Sequence, residues 1–201
     1  MIASAGRWVT PAIASAVPWT SGAEHKDLMS RFRNATSFIP LTRDRGHGRV
    51  TIDAAGEAVP WYAVKDELDA ANLRLGIEKL ARLHQAAGAL EITLLAAGMP
   101  RWRYGDDLDR FVARAQRVPL RAGGVRLFSA HQMGTCRMGT DPRTSVAGTY
   151  GELHDVKGVW IGDGSAFPTA SGTNPMVSIM ALAHRTAEAI VGVRDQAAAA
   201  V

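Results

Sequence analysis

His131-Gln-Met-Gly-Thr-Cys-Arg-Met-Gly139 and Val159-Trp-Ile-Gly-Asp-Gly-Ser-Ala-Phe-Pro-Thr-Ala-Ser-Gly-Thr-Asn-Pro-Met176 are the two stretches that decide how this chain reads. Each joins a glycine-punctuated polar loop to an apolar run, an arrangement that holds reactive groups on a rigid support. Val125-Arg-Leu-Phe-Ser-Ala130 is a short β-prone run, which predicts His131 at or just past a strand end. Val159 to Ile161 predicts a second strand, followed by a turn around Asp163 and Gly164. Asn174 is a good N-cap and Pro175 suits a first helical position, so a helix is expected to begin there. Two polar side chains, His131 and Asn174, are thus offered from element ends.

Downstream, Met176 to Val191 predicts a terminal helix, apolar nearly all round at its start and so expected to be buried there. The alanine-rich tail from Ala197 is expected to fray. Upstream, Ala70, Leu73, Ile77, Leu80 and His84 recur at helical steps between Asp66 and Ala86, with Glu78 and Arg82 paired four apart on the opposite side. Gly88 ends that helix. Leu90 to Leu95 reads as a strand, Pro100 to Gly105 as a loop, and Asp106 to Arg117 as a second helix, with Asp106 and Asp107 at its positive end. Arg49 to Asp53 alternates at period two and, with Val59 to Val64, predicts a hairpin around Ala55-Gly56. Met1 to Ile39 is proline-broken and irregular, with a turn at Ser21-Gly22 and a short helix from Glu24 to Phe32.

Hydrophobic residues make up 47% of the 201 positions and charged ones 21%, which is the balance of a globular chain able to bury a core. The net charge of +4 is the difference of 23 basic and 19 acidic side chains spread along the chain. No basic run grips a phosphate backbone, so nucleic acid is not an expected partner. The single cysteine, Cys136, cannot form an internal disulfide, which fits a reducing compartment. The N-terminal segment carries Arg7, Pro11 and Pro18 inside it and makes a poor signal peptide, and no membrane span is expected. The expectation is a cytoplasmic protein.

As chemistry, an imidazole takes and returns a proton near neutral pH, and a carboxamide donates a hydrogen bond to an oxygen that is becoming negative. Together, His131 and Asn174 suit the oxidation of an alcohol: the histidine accepts the hydroxyl proton as hydride leaves the carbon. No side chain accepts a hydride, so the reading requires a redox cofactor. Plainer readings stand beside this one. Asn174 before Pro175 also serves as a helix cap alone, and Asp163-Gly164 as an ordinary turn with Ser165 as its hydrogen-bonding partner. Ser165, His131 and Asp163 also invite comparison with a hydrolase triad. Gly162-Asp-Gly-Ser-Ala166 lacks the second glycine of a nucleophile elbow, and Asp163 is too near Ser165 in sequence to orient a histidine. Cys136 reads as a small buried residue. His25, His47, His84, His154 and His184 have no ligand-like spacing, so no metal is assigned, and His84 reads as a core residue.

His-x-x-Gly-Thr-Cys-Arg-Met-Gly from His131, Gly-Val-Trp-Ile-Gly-Asp-Gly-Ser-Ala-Phe-Pro-Thr from Gly158, and Gly172-Thr-Asn-Pro175 before an apolar helix together resemble one family. It is the C-terminal part of the glucose-methanol-choline (GMC) family of FAD-dependent oxidoreductases. The resemblance runs from about Thr42 onward and is strongest from His131 to Ile190. It implies FAD as the cofactor, His131 as the acid/base and Asn174 as its partner at the substrate oxygen. It also implies that Asp163, Gly164, Ser165, Asn174, Pro175 and Met176 contact the flavin, where a helix N-terminus favours the anionic reduced ring by about 1 kcal/mol. Ala147 stands where the family pattern usually carries aspartate, which puts its local loop contacts in question.

The expected fold is α/β, with α and β elements mixed: part of a substrate-binding domain with an antiparallel sheet and helices, plus the closing strand and helix of an FAD-binding domain. The expected divisions are an irregular segment at 1–41, a partial substrate domain at 42–124, and a segment completing the flavin site at 125–201. No Gly-x-Gly-x-x-Gly cradle for a pyrophosphate occurs. Gly46-His-Gly48 lacks the third glycine, and the family's fingerprint lies near the N-terminus of a much longer chain. The expectation is therefore a fragmentary or split enzyme acting on a CH–OH donor, a small-molecule alcohol. The alternative is a non-catalytic remnant, or a module that needs a separate FAD-binding chain.

Overall fold

A computed structural model describes residues 3–4 and 14–199. Most of the proline-broken start, on which the leader-peptide reading falls, lies outside the described residues. In chain order the elements are β1 (Ala3–Ser4), α1 (Gly22–Ser30), β2 (Ile39–Pro40), β3 (Arg49–Ile52), β4 (Ala58–Trp61), α2 (Glu67–Ala86), β5 (Glu91–Ile92), β6 (Trp102–Arg103), α3 (Leu108–Ala115) and α4 (Met176–Ala199). Single 3-10 turns lie at Phe32–Asn34 and Gly164–Ala166. The strands form three antiparallel pairs, β1 with β2, β3 with β4 and β5 with β6. The fold is mixed helix and small antiparallel sheet, as expected.

The chain forms two compact units, both discontinuous. One comprises Met1–Thr42 and Ala63–Phe128, the other Arg43–Tyr62 and Ser129–Val201. The β3–β4 hairpin therefore groups with the C-terminal segment, not with the residues that follow it.

In the first unit, Asp66 caps α2, its Oδ1 accepting from the backbone N–H of Leu68 at 2.9 Å and of Asp69 at 3.1 Å. The helix packs on α3. Its fully buried positions are Asp69, Gly76 and Ala81, while Leu73, Ile77, Leu80 and His84 of the expected face are half-buried. Ala81 is the α2 residue that joins Leu108, Phe111 and Val112 of α3 in the buried cluster. The core is Ala81, Ile92, Trp102, Leu108, Phe111 and Val112. Trp102 satisfies its buried indole N–H on the carbonyl of Asp106 at 2.9 Å.

Several expected boundaries shift here. The loop read at Pro100 to Gly105 contains β6, because Trp102 buries its ring and pairs its backbone with Ile92. The strand read at Leu90 to Leu95 shortens to Glu91–Ile92, and the helix read at Asp106 to Arg117 to Leu108–Ala115, capped by Asp107. Ser21 accepts from the N–H of Glu24 at 3.2 Å, so Ser21-Gly22 is the cap and first residue of α1 instead of a separate turn. The run from Val125 to Ala130 is not a strand; Val125 alone bridges to Ala96.

In the second unit β3 and β4 pair from Arg49 opposite Trp61 to Ile52 opposite Ala58. Asp53 shapes their turn, its Oδ1 accepting from the N–H of Ala55 and of Glu57, each at 2.9 Å. From Ser129 to Pro175 the chain is loop, held by scattered backbone hydrogen bonds. Cys136 donates to Ser165 at 3.0 Å, Met138 to Ala166 at 2.9 Å, and Ile161 to Gly151 at 2.8 Å. The expected strand at Val159 to Ile161 is reduced to one bridge, Trp160 with Glu152, since a ladder needs a full-length neighbour and none lies among the described residues.

Helix α4 closes this unit. Thr186, buried, donates its hydroxyl to the carbonyl of Ile161 at 3.3 Å, and Arg185 donates to the carbonyl of Thr149 while lying 5.6 Å from the Tyr150 ring centre. The start of this helix, expected to be buried, is exposed: Met176, Val177 and Met180 all face outward. Its inward side packs on loops, and no element among the described residues covers the other. Residues Met176–Val193 have a mean hydropathy of 1.3, enough by length and composition to cross a bilayer. The helix places His184, Arg185 and Glu188 at its middle, costly groups for a hydrocarbon core.

Candidate active site

His131 follows the irregular segment 125–130, so loop contacts and not a strand end position it. Those contacts are ordered. The backbone bonds from Cys136 and Met138 to Ser165 and Ala166 stitch the His131 loop to the 3-10 turn at Gly164–Ala166. Asp163 shapes that turn, its Oδ1 accepting from the N–H of Ser165 at 2.8 Å and from the Ser165 hydroxyl. The hydroxyl bond, followed by the backbone bond, holds the Asp163 carboxyl below the ordinary aspartate value, partly offset by desolvation. With its hydroxyl given to Asp163, Ser165 is not set up as a nucleophile for His131.

Gly164 is where loop, turn and helix meet. A Cβ there would stand 3.3 Å from the carbonyl oxygen of Gln132 and 3.3 Å from Cδ1 of Ile179. A side chain at 164 would wedge the His131 loop away from the helix.

Asn174 arrives by a second route. Arg43 donates from Nε to the carbonyl of Ala170 at 3.2 Å, and Ser171 donates to the carbonyl of Thr173 at 2.6 Å. The N–H of Ile179 then donates to the carbonyl of Pro175 at 2.8 Å, so the helical ladder starts at Pro175 and α4 begins at Met176. This moves the helix start one residue on from the sequence reading. Asn174 lies outside the helix, and its amide makes no hydrogen bond with any described residue. The cap expected of it is not made, and the amide is left available.

His131, Asn174, Pro175, Met176, Ile179 and Met180 line one cavity of about 420 Å³. The imidazole of His131 likewise has no hydrogen-bonding partner among the described residues. Two unengaged polar groups thus share a cavity whose remaining wall is apolar and whose floor is the first turn of α4. That turn carries N–H groups without intrahelical partners, which attract negative charge. Of the residues singled out from sequence, His131, Asn174, Pro175 and Met176 meet here. Asp163, Gly164 and Ser165 do not line the cavity; they brace it from behind. Ile179 and Met180 were missed, although they fall three and four positions past Met176, the helical repeat that puts side chains on one face.

Among solved structures the chain is similar to pyridoxine 4-oxidase from Mesorbium loti, with a TM-score of 0.51 and 20% identity over 73% of this chain and 28% of that one. The fold is thus that of a segment of a larger protein. The family described as GMC oxidoreductase matches residues 44–183, and the chain belongs to that family. It is 37% identical over 172 residues to the long-chain-alcohol oxidase FAO4A of Arabidopsis thaliana, covering 84% of this chain and 23% of that protein. It is 31% identical over 188 residues to the GMC-type oxidoreductase y4nJ of Sinorhizobium fredii, covering 92% of this chain and 36% of that protein. The chain therefore spans about a quarter to a third of the length of these curated relatives.

Proposed function

We propose that this chain carries the catalytic pair of an FAD-dependent oxidoreductase acting on alcohols, with His131 as acid/base and Asn174 as the donor to the substrate oxygen. The observation that supports this most is the shared cavity: two side chains distant in sequence, both unengaged, opening onto one apolar-walled space. A ring nitrogen of His131 takes the hydroxyl proton, and the Asn174 amide N–H steadies the oxygen as charge builds on it. Met176, Ile179 and Met180 supply an apolar surface beside the pair, against which the hydrocarbon part of an alcohol packs. FAD, when bound, supplies the hydride acceptor.

The residues present fit the ring portion of that cofactor. A helix N-terminus and the apolar side chains of Met176, Ile179 and Met180 form a wall beside the polar pair. They do not fit its pyrophosphate, for which the sequence has no glycine-rich cradle. The name of the Arabidopsis relative and the apolar wall together favour an alcohol with a hydrocarbon body over a sugar.

A second reading is a module that functions only with a separate FAD-binding polypeptide. The exposed apolar face of α4 and the near-unpaired segment at Trp160 favour it. Titrating the purified chain with FAD separates the two. A flavin-bound chain that bleaches on adding an alcohol supports catalysis by this polypeptide. Absence of bound flavin supports the module, and bleaching unchanged by His131→Ala removes the assignment of the base.

A further inference from the structure

We propose that Met176 and Met180 are a peroxide-sensitive pair whose oxidation converts the apolar wall of the His131–Asn174 cavity into a polar one. Six methionines lie among the described residues: Met29, Met99, Met133, Met138, Met176 and Met180. Met176 is 66% and Met180 57% exposed, while the other four are half-buried. Met99 packs against the core of the first unit, and the Met138 sulfur accepts from Arg185 at 3.3 Å. The two exposed thioethers are also the two that line the cavity, one helical turn apart on α4.

Oxidation of a thioether requires direct approach of the peroxide oxygen to sulfur, so access sets the order of attack. A sulfur lone pair forms the S–O bond as the O–O bond of hydrogen peroxide breaks. Sulfur is oxidised to the sulfoxide, and the other peroxide oxygen leaves as water with the protons it needs. The product replaces a flexible apolar group with a strong hydrogen-bond acceptor. That acceptor shares a cavity with the unengaged Asn174 amide and competes with a substrate oxygen for its N–H. Methionine sulfoxide reductases restore the thioether, so the change is reversible. The modification itself needs no flavin; only its effect on turnover rests on the alcohol-oxidase reading.

The test is a time course of the purified chain in hydrogen peroxide, followed residue by residue by peptide mass spectrometry. Met176 and Met180 are expected to gain one oxygen each several-fold faster than the other four. Equal or slower reaction at these two overturns the proposal. A second arm compares the chain with the double variant Met176→Leu, Met180→Leu, which keeps wall volume and apolarity. Binding of an apolar fluorescent probe is expected to fall after peroxide treatment of the unsubstituted chain and to persist in the variant. Unchanged probe binding in the oxidised unsubstituted chain overturns the switch. A chain that binds no FAD yet oxidises in this order retains the proposal while losing the catalytic reading.

Discussion

Gly151 lies directly against Thr186: a Cβ on Gly151 would stand 2.7 Å from the Thr186 hydroxyl and 2.8 Å from the carbonyl oxygen of Ile161 that this hydroxyl bonds. Gly151 also has φ +98°, a conformation that disfavours side chains. Loop, bridge segment and α4 converge on this one residue. Gly151→Ala is therefore expected to destabilise the C-terminal unit by about 1–3 kcal/mol, from backbone strain and displaced packing together. Thermal unfolding measures it, and a melting point equal to that of the unsubstituted chain contradicts the close approach.

In the flavin-loaded protein, His131→Ala is expected to slow alcohol-dependent flavin reduction by roughly 10²-fold or more, the usual contribution of a positioned base. Asn174→Ala is expected to cost about 10²-fold in the same step, with little change in melting temperature because the amide bonds no described residue. Rapid-mixing absorbance follows the rate. A large stability loss in Asn174→Ala with an intact rate shows a capping role instead.

Asp163 titrates below the ordinary value of 3.8, chiefly because the Ser165 hydroxyl donates to it. Its support for the turn is fully present above that value and disappears as pH falls through the lower value of the folded state. Asp163→Asn keeps an acceptor oxygen and removes this acid dependence, whereas Asp163→Ala loses the turn at any pH. The difference between acid-unfolding curves of the Asn variant and the unsubstituted chain isolates the effect; superimposable curves contradict it.

His84 behaves in the opposite pH range. Burial disfavours its charged form and lowers its value from 6.5, with Phe38 packed on the ring at 4.7 Å between centroids. The unfolded chain thus binds a proton before the folded one does, and stability falls as pH drops from 6.5 to the lowered value. Stability of the N-terminal unit is expected to decline below about pH 7 in the unsubstituted chain and less in His84→Leu. Parallel pH profiles for the two proteins rule this out.

Local signals in the sequence located much of this structure. The helix from Glu67 to Ala86 and the hairpin around Gly56 agree with the reading from residues alone, and His131 and Asn174, singled out together there, line one cavity. Each carries its own cause, whether a cap, a turn residue or a helical repeat. Readings that depended on distant partners departed from the structure. Val125 to Ala130 and Val159 to Ile161 have strand-like composition, but side chains do not supply a neighbouring backbone to pair with. The start of α4 is apolar enough for a core, yet burial needs an opposing surface. Asn174 has the chemistry of a cap, and only the observed ladder shows that Pro175 takes that place.

The order of the two units along the chain sets the order in which they can be assembled on a ribosome. The hairpin β3–β4 is made early, but the rest of its unit, from Ser129 onward, follows only after all of Ala63–Phe128 has been synthesised. An isolated two-stranded hairpin is marginal in water. It must therefore wait, unsupported by its own unit, while the residues that complete the other emerge and fold around it in sequence. The cavity-bearing unit is completed after the other, once α4 has been synthesised and docks. Slowing or stalling translation between the two halves should prolong that exposed interval without hindering the first unit.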